Sequence, residues 1–237
     1  MDRDSKLGAG LEACGILALI LTYIWLFRGR GPSVAVIVVL VLLSHWWHGE
    51  TPASLGFTTT GLRRAARVIG PVVIVLALML GGDALLRPAS TRLSLSTILV
   101  VLAGYCVWGV VQQWALNGFF VNRFVRALGD YPGGRYAAAV LAAICFGAAH
   151  LPNLYLALPS AALGLLAALA YLRYRNLIVL GIAHGIIGTT VVVTMAASLP
   201  HGLRTGPDAR AFSGRSRPSV SISARSRNHV AAHAHVS

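Results

Sequence analysis

Acid is what this sequence has least of. Seven Asp and Glu stand against 20 Lys and Arg in 237 residues, and charged residues of both signs make up only 11% of the chain. A soluble globular chain carries roughly 25%, so there is too little charge here to cover a water-facing surface. Cysteine is scarce as well. Cys14, Cys106 and Cys145 each fall inside an apolar run; an odd count without metal-ligand spacing excludes a disulfide framework and leaves three small buried hydrophobes. No basic stripe interleaved with aromatics occurs in a foldable stretch, so the net charge of +13 does not point to nucleic acid. A removable signal peptide is not expected either. The first apolar run, 8–27, is too long for an h-region and lacks a small-residue cleavage site.

What is present is hydrocarbon. The chain is 56% hydrophobic, with a mean hydropathy of +0.71, and its apolar residues come in runs of the length a bilayer core demands. This predicts an all-α fold, a polytopic transmembrane helical bundle of about seven spans (six to eight) near 8–27, 33–47, 68–86, 96–121, 136–150, 154–172 and 177–199. The chain is then a multi-pass protein of the cell membrane, its constant partner the lipid bilayer.

Three regions follow. Residues 1–95 are N-terminal membrane helices, with an interfacial segment near 51–67 in which Leu55, Phe57 and Leu62 precede Arg63, Arg64 and Arg67. Residues 96–199 hold four further spans. Residues 200–237 are rich in Arg, Ser and His, have little to bury, and are expected to lack a fixed structure. The closing His229, His233 and His235 belong to that tail and are not expected to form a metal site. One end of the bundle gathers Arg3, Lys6, Arg63, Arg64, Arg67, Arg123, Arg126, Arg135, Arg173 and Arg175, against Arg28, Arg30, Arg87 and Arg92 at the other. The positive-inside rule therefore puts the N-terminus in the cytoplasm. In HWWHGE, 45–50, the expected role is an aromatic interface anchor.

Polar side chains at bilayer depth are expensive, and each needs a reason. The fourth span carries Gln112 and Gln113, then Asn117, which shares a face with Gln113. The fifth ends in Phe146 and His150, four apart, and the seventh carries His184 with Gly188 one turn on. Any one of these could be interhelical hydrogen-bond glue, and Gly181, Gly185 and Gly188 suit close helix packing. Together, two imidazoles and an amide pair on three spans can converge on one polar cavity.

These residues resemble the signature of the CPBP intramembrane endopeptidases, the family of CaaX-prenyl proteases and of bacteriocin-processing or Abi-like proteins. That signature is E-E-x-x-x-R on one span, F-x-x-x-H on the next and H-x-x-x-N or H-x-x-x-D on a later one. Here it reads QQWALN at 112–117, FGAAH at 146–150 and HGIIG at 184–188. The intervening HLPN at 150–153, YRN at 174–176 and the upstream LGF at 55–57 match as well. The resemblance makes 96–199 a CPBP-like core and implies hydrolysis of a peptide bond in a membrane-associated protein or peptide. It makes His150, His184, Gln112 and Gln113 the catalytic candidates, lined by Asn117, Phe146 and Gly188.

The departures bear on chemistry. In the family, a glutamate and a histidine polarise the attacking water. Gln112 and Gln113 keep the shape but cannot take a proton, and Asn117 replaces the arginine, so anion and cation have gone together, as a buried pair must. Gly188 removes a further polar group. A cofactor is not expected: a divalent metal such as zinc would have only His150 and His184, and zinc enzymes usually supply three protein ligands. The alternative to an endopeptidase is a catalytically inactive CPBP-fold binding or scaffold protein. A transporter is disfavoured, because the chain shows no repeat symmetry.

Overall fold

The computed structural model describes residues 5–27, 33–86, 93–194 and 202–209, and among them every regular element is helical. Helix α1, Lys6–Thr22, widens into a π-turn at Tyr23–Phe27. Helix α2, Ser33–Trp47, is followed by a single turn, α3, at Pro52–Leu55. Helix α4, Leu62–Leu86, begins at the basic trio, so Arg63, Arg64 and Arg67 lie on the first turns of a long apolar helix. Helix α5, Leu95–Gln113, continues through a π-helical stretch, Trp114–Val121, into α6, Asn122–Leu128. Helices α7, Gly134–Ala148, α8, Leu154–Tyr174, and α9, Leu177–Thr194, complete the bundle.

Five of these helical stretches are long and apolar enough to cross a membrane: Lys6–Phe27, Leu62–Gly82, Leu95–Leu128, Leu154–Tyr174 and Leu177–Thr194. Two shorter apolar helices, Val34–Trp47 and Gly134–Ala148, lie at the remaining expected spans. The molecule is an all-α polytopic bundle. Its burial pattern inverts that of a soluble protein. Val36, Ile74, Leu78, Met79 and Val100 point outward, while the largest fully buried side chain is Arg123. In lipid the outward apolar side chains cost nothing, because the surroundings are as apolar as leucine.

Small residues set the central crossing. A Cβ on Gly185 would meet Cys106 Cα at 2.6 Å, and one on Gly181 would meet Val110 Cα at 2.8 Å. Gly109 answers from α5, where a Cβ would lie 2.5 Å from Gly181 O. The two backbones touch, and that contact sets Gln113 opposite His184. Gly185→Val is expected to force them apart and destabilise the fold by about 1–3 kcal/mol, read as a lower thermal midpoint in detergent. Gly104→Ala, which has open space, serves as the neutral control.

The LGF segment fixes the start of α9. Leu177 N donates to Gly56 O at 2.9 Å, Asn176 Nδ2 to Thr58 O at 2.9 Å and Tyr171 Oη to Leu55 O at 2.9 Å. Gly56 has φ +100, and a Cβ there would lie 2.6 Å from Arg175 O, so only glycine fits.

At the same end lies a buried ionic hub. Arg123 gives Nη1 and Nη2 to the two carboxylate oxygens of Glu50, at 3.0 and 2.9 Å, and Nε to Glu12 at 2.8 Å. Ser44 Oγ donates to Glu12 at 3.0 Å, and His45 Nδ1 donates to Glu50 at 2.6 Å. His48 accepts from Arg126 through Nδ1 at 2.6 Å and donates from Nε2 to Glu12 at 3.1 Å. The hub joins α1, α2, the turn after α2, and α6. This corrects part of the interface-anchor expectation: Trp46 and Trp47 are exposed, but His45 and His48 turn inward.

Burial alone would raise the Glu50 carboxyl, yet the hydrogen bonds from His45 and Arg123 outweigh it and bring the pKa from 4.5 to about 2. A depressed carboxylate contributes stability above its unfolded value and loses it as pH falls toward the folded one. The thermal midpoint is therefore expected to drop between pH 4.5 and about 2, and Glu50→Gln should flatten that dependence.

Candidate functional site

Gln113 is the last residue of α5, one turn beyond Gly109, and so lies on the face pressed against α9. Its Nε2 donates to His184 Nδ1 at 3.2 Å. Its Oε1 is taken by Asn117 Nδ2 at 2.5 Å. Both amides are buried, at 3% and 0% exposure, which makes these bonds obligatory. Asn117 sits within the π-helical stretch, whose residues Leu116–Val121 are all buried. Such widened turns concentrate at functional sites.

His150 follows α7 in the turn before α8. Its Nδ1 donates to Phe146 O at 2.7 Å, one helical turn back. The Phe146 ring stands edge-on to both imidazoles, 5.0 Å from His150 and 6.0 Å from His184. Gly164 lets α8 close on that ring, since a Cβ there would lie 3.1 Å from Phe146 Cδ1. Phe146 is thus a spacer between two histidines, its ring in contact with both.

The partners fix the tautomers. A backbone carbonyl only accepts, so His150 carries its proton on Nδ1 and leaves a lone pair at Nε2. The Gln113 amide nitrogen only donates, so neutral His184 accepts at Nδ1 and carries its proton on Nε2. One ring offers a base and the other a donor.

Of the residues singled out from the sequence, Gln113, Asn117, Phe146, His150 and His184 come together. Gln112, about 100° round the helix, is half-buried and makes no side-chain hydrogen bond among the described residues. At Gly188 a Cβ would strike Tyr105 Cδ1 at 2.6 Å, so the aromatic ring occupies the space a polar side chain would need. Glu12 and Glu50 are committed to Arg123, ten residues beyond Gln113 along the helical rod. Asp130 pairs with Lys6 at 2.7 Å. None of these carboxylates substitutes for a glutamate. Among the described residues no three His, Cys, Asp or Glu side chains converge on a metal position.

Two elements escaped the sequence. Asn153 is fully buried and bonded to residues 202–204, and Arg123 is buried where a loop cation was expected. Arg28, Arg30, Arg87, Arg92 and the tail from 210 onward lie outside the described residues.

Residues 94–190 match the family model of the type II CAAX prenyl endopeptidase Rce1-like proteins. The match opens at the cap of α5 and closes in α9, enclosing Gln112, Gln113, Asn117, Phe146, His150, His184 and Gly188. No curated protein and no solved structure matches the chain. Over residues 94–190 the chain therefore carries an Rce1-like domain of the CPBP family, within a CAAX protease-like, all-helical membrane protein.

Proposed function

We propose that the chain is an intramembrane endopeptidase whose paired histidines do the work that a glutamate shares in the family pattern. The observation that carries this is the placing of two imidazoles against one Phe146 ring, His184 bonded to Gln113 and His150 to Phe146 O. His150 Nε2 removes a proton from water as the oxygen attacks the scissile carbonyl carbon. The carbonyl oxygen, gathering negative charge, receives a hydrogen bond from His184 Nε2–H. When the tetrahedral intermediate collapses, the C–N bond breaks and the leaving amine takes its proton from the His150 imidazolium. Gln113 and Asn117 keep the His184 proton on the working nitrogen. The substrate is a membrane-associated protein or peptide, reached from the bilayer that surrounds α5, α7 and α9.

Sidedness belongs to the same reading. Lys6 with Asp130, Arg123 with Glu50, and Arg175 with Ser54 O all lie at one end of the bundle. That basic end is assigned to the cytoplasm, and the N-terminus with it.

The test is a reporter peptide ending in an S-farnesyl CAAX sequence, assayed beside its unprenylated twin with protein in lipid nanodiscs. Gln113→Glu is the informative variant. A carboxylate there accepts from Asn117 and favours the His184 imidazolium, whose charged N–H is the stronger oxyanion donor. Cleavage is expected to rise by about tenfold, equal to roughly 1.4 kcal/mol of barrier. One feature favours the second reading, a CPBP-fold binding protein without catalysis: the Asn117–Gln113–His184 chain has no carboxylate bonded into it. On that reading Gln113→Glu changes stability and releases no product.

A further inference from the structure

Residues 202–209, assigned by composition to a structureless tail, pack against the turn that carries His150. Gly206 N donates to Leu151 O at 2.8 Å. Asn153 Nδ2 donates to Gly202 O and to Arg204 O, each at 3.1 Å. Asn153 is 0% exposed, and its own N–H closes the turn on His150 O at 3.2 Å. Gly206 has φ +63, and a Cβ there would lie 2.8 Å from Ile24 O, in the π-turn at the end of α1. Ala209 is fully buried.

We propose that residues 202–209 are a latch on the His150 turn, and that Asn153 is a positioning residue for His150. The role in catalysis rests on the reading of His150 as the base. The latch engages both sides of the turn, through Leu151 and Asn153, and is wedged from behind by the end of α1. Only a short side chain with two N–H groups on one nitrogen can serve two carbonyls at once. An aspartate would set a carboxylate against both oxygens. Loosened, the turn no longer holds His150 Nδ1 on Phe146 O, and the ring loses its fixed place beside Phe146. The segment after α9 thereby governs a residue on α7's end, and anything that draws 202–209 away turns the site off.

The experiment uses the full chain in nanodiscs and diethyl pyrocarbonate, which modifies neutral imidazole nitrogen. Mass spectrometry reads modification at His150, with His184 as internal reference. Two variants open the latch from opposite sides, Asn153→Asp from the turn and Gly206→Leu from the strap; deletion of 210–237 is the control. The His150 to His184 ratio is expected to rise about tenfold in both variants, as for local opening of a packed segment, and to stay unchanged in the control. On the reporter peptide, kcat should fall by about 10²-fold, the usual result of a small misplacement, with KM held. An unchanged modification ratio in folded Gly206→Leu overturns the latch, even if Asn153→Asp does not fold. A raised ratio in a protein whose wild type cuts nothing upholds the latch and overturns the peptidase reading.

Discussion

His150→Ala is expected to lower the rate of reporter cleavage by a factor of about 10² to 10⁴, the usual contribution of a general base. The fold should survive, because the side chain makes a single hydrogen bond, to Phe146 O, and lies at the end of α7 rather than in a helix crossing. KM should change little, since the group acts on the water and not on ground-state contacts. His184→Ala should cost about 10² to 10³, the range for removing one oxyanion donor, and should also leave Gln113 Nε2 without its acceptor. The double variant should be little worse than His150→Ala alone, because groups that act as a unit do not add. Equal rates for wild type and His150→Ala would contradict the assignment.

Arg123→Met carries the largest expected effect on stability. Arg123 is 0% exposed, and its guanidinium is the counter-charge for both Glu12 and Glu50. Removing one partner of a buried ion pair costs about 3–5 kcal/mol, which for a chain of this size is roughly 10 °C in thermal midpoint. Arg123→Lys should not rescue it, because an ammonium cannot present the fork that meets both oxygens of Glu50 while reaching Glu12. Adding Glu12→Gln and Glu50→Gln to Arg123→Met should recover a large part of the loss by removing the stranded anions. Since Arg123 bonds none of the site residues and lies ten residues beyond Gln113, cleavage per folded molecule should barely move. Stability and activity then separate, which distinguishes hub from site.

The bundle was legible in the sequence because lipid rewards uninterrupted apolar runs, and such runs can be read locally. Gln113 and His184 were also within reach. The i, i+4 relation of Gln113 to Asn117 and of His184 to Gly188 says which residues share a face, and the motif order says which helices meet. Gln112 became a candidate through the motif alone, since the sequence itself puts it about 100° round the helix from Gln113. The hub could not be read. Glu12 and Arg123 are 111 residues apart, and no local pattern tells a helix-end arginine that bonds a distant glutamate from one that faces water. HWWHGE misled for a related reason, since two exposed tryptophans look like a belt whatever the neighbouring histidines do. Asn153 was hidden by its partners, backbone carbonyls in a segment whose composition promised nothing to hold.

The most direct measurement compares new N-termini in membranes from cells expressing wild type, His150→Ala or His184→Ala at equal abundance, by N-terminal labelling and mass spectrometry. Two imidazoles working across Phe146 predict internal N-termini present with wild type, lost with His150→Ala and strongly reduced with His184→Ala. Identical sets of N-termini in all three membranes would contradict that account.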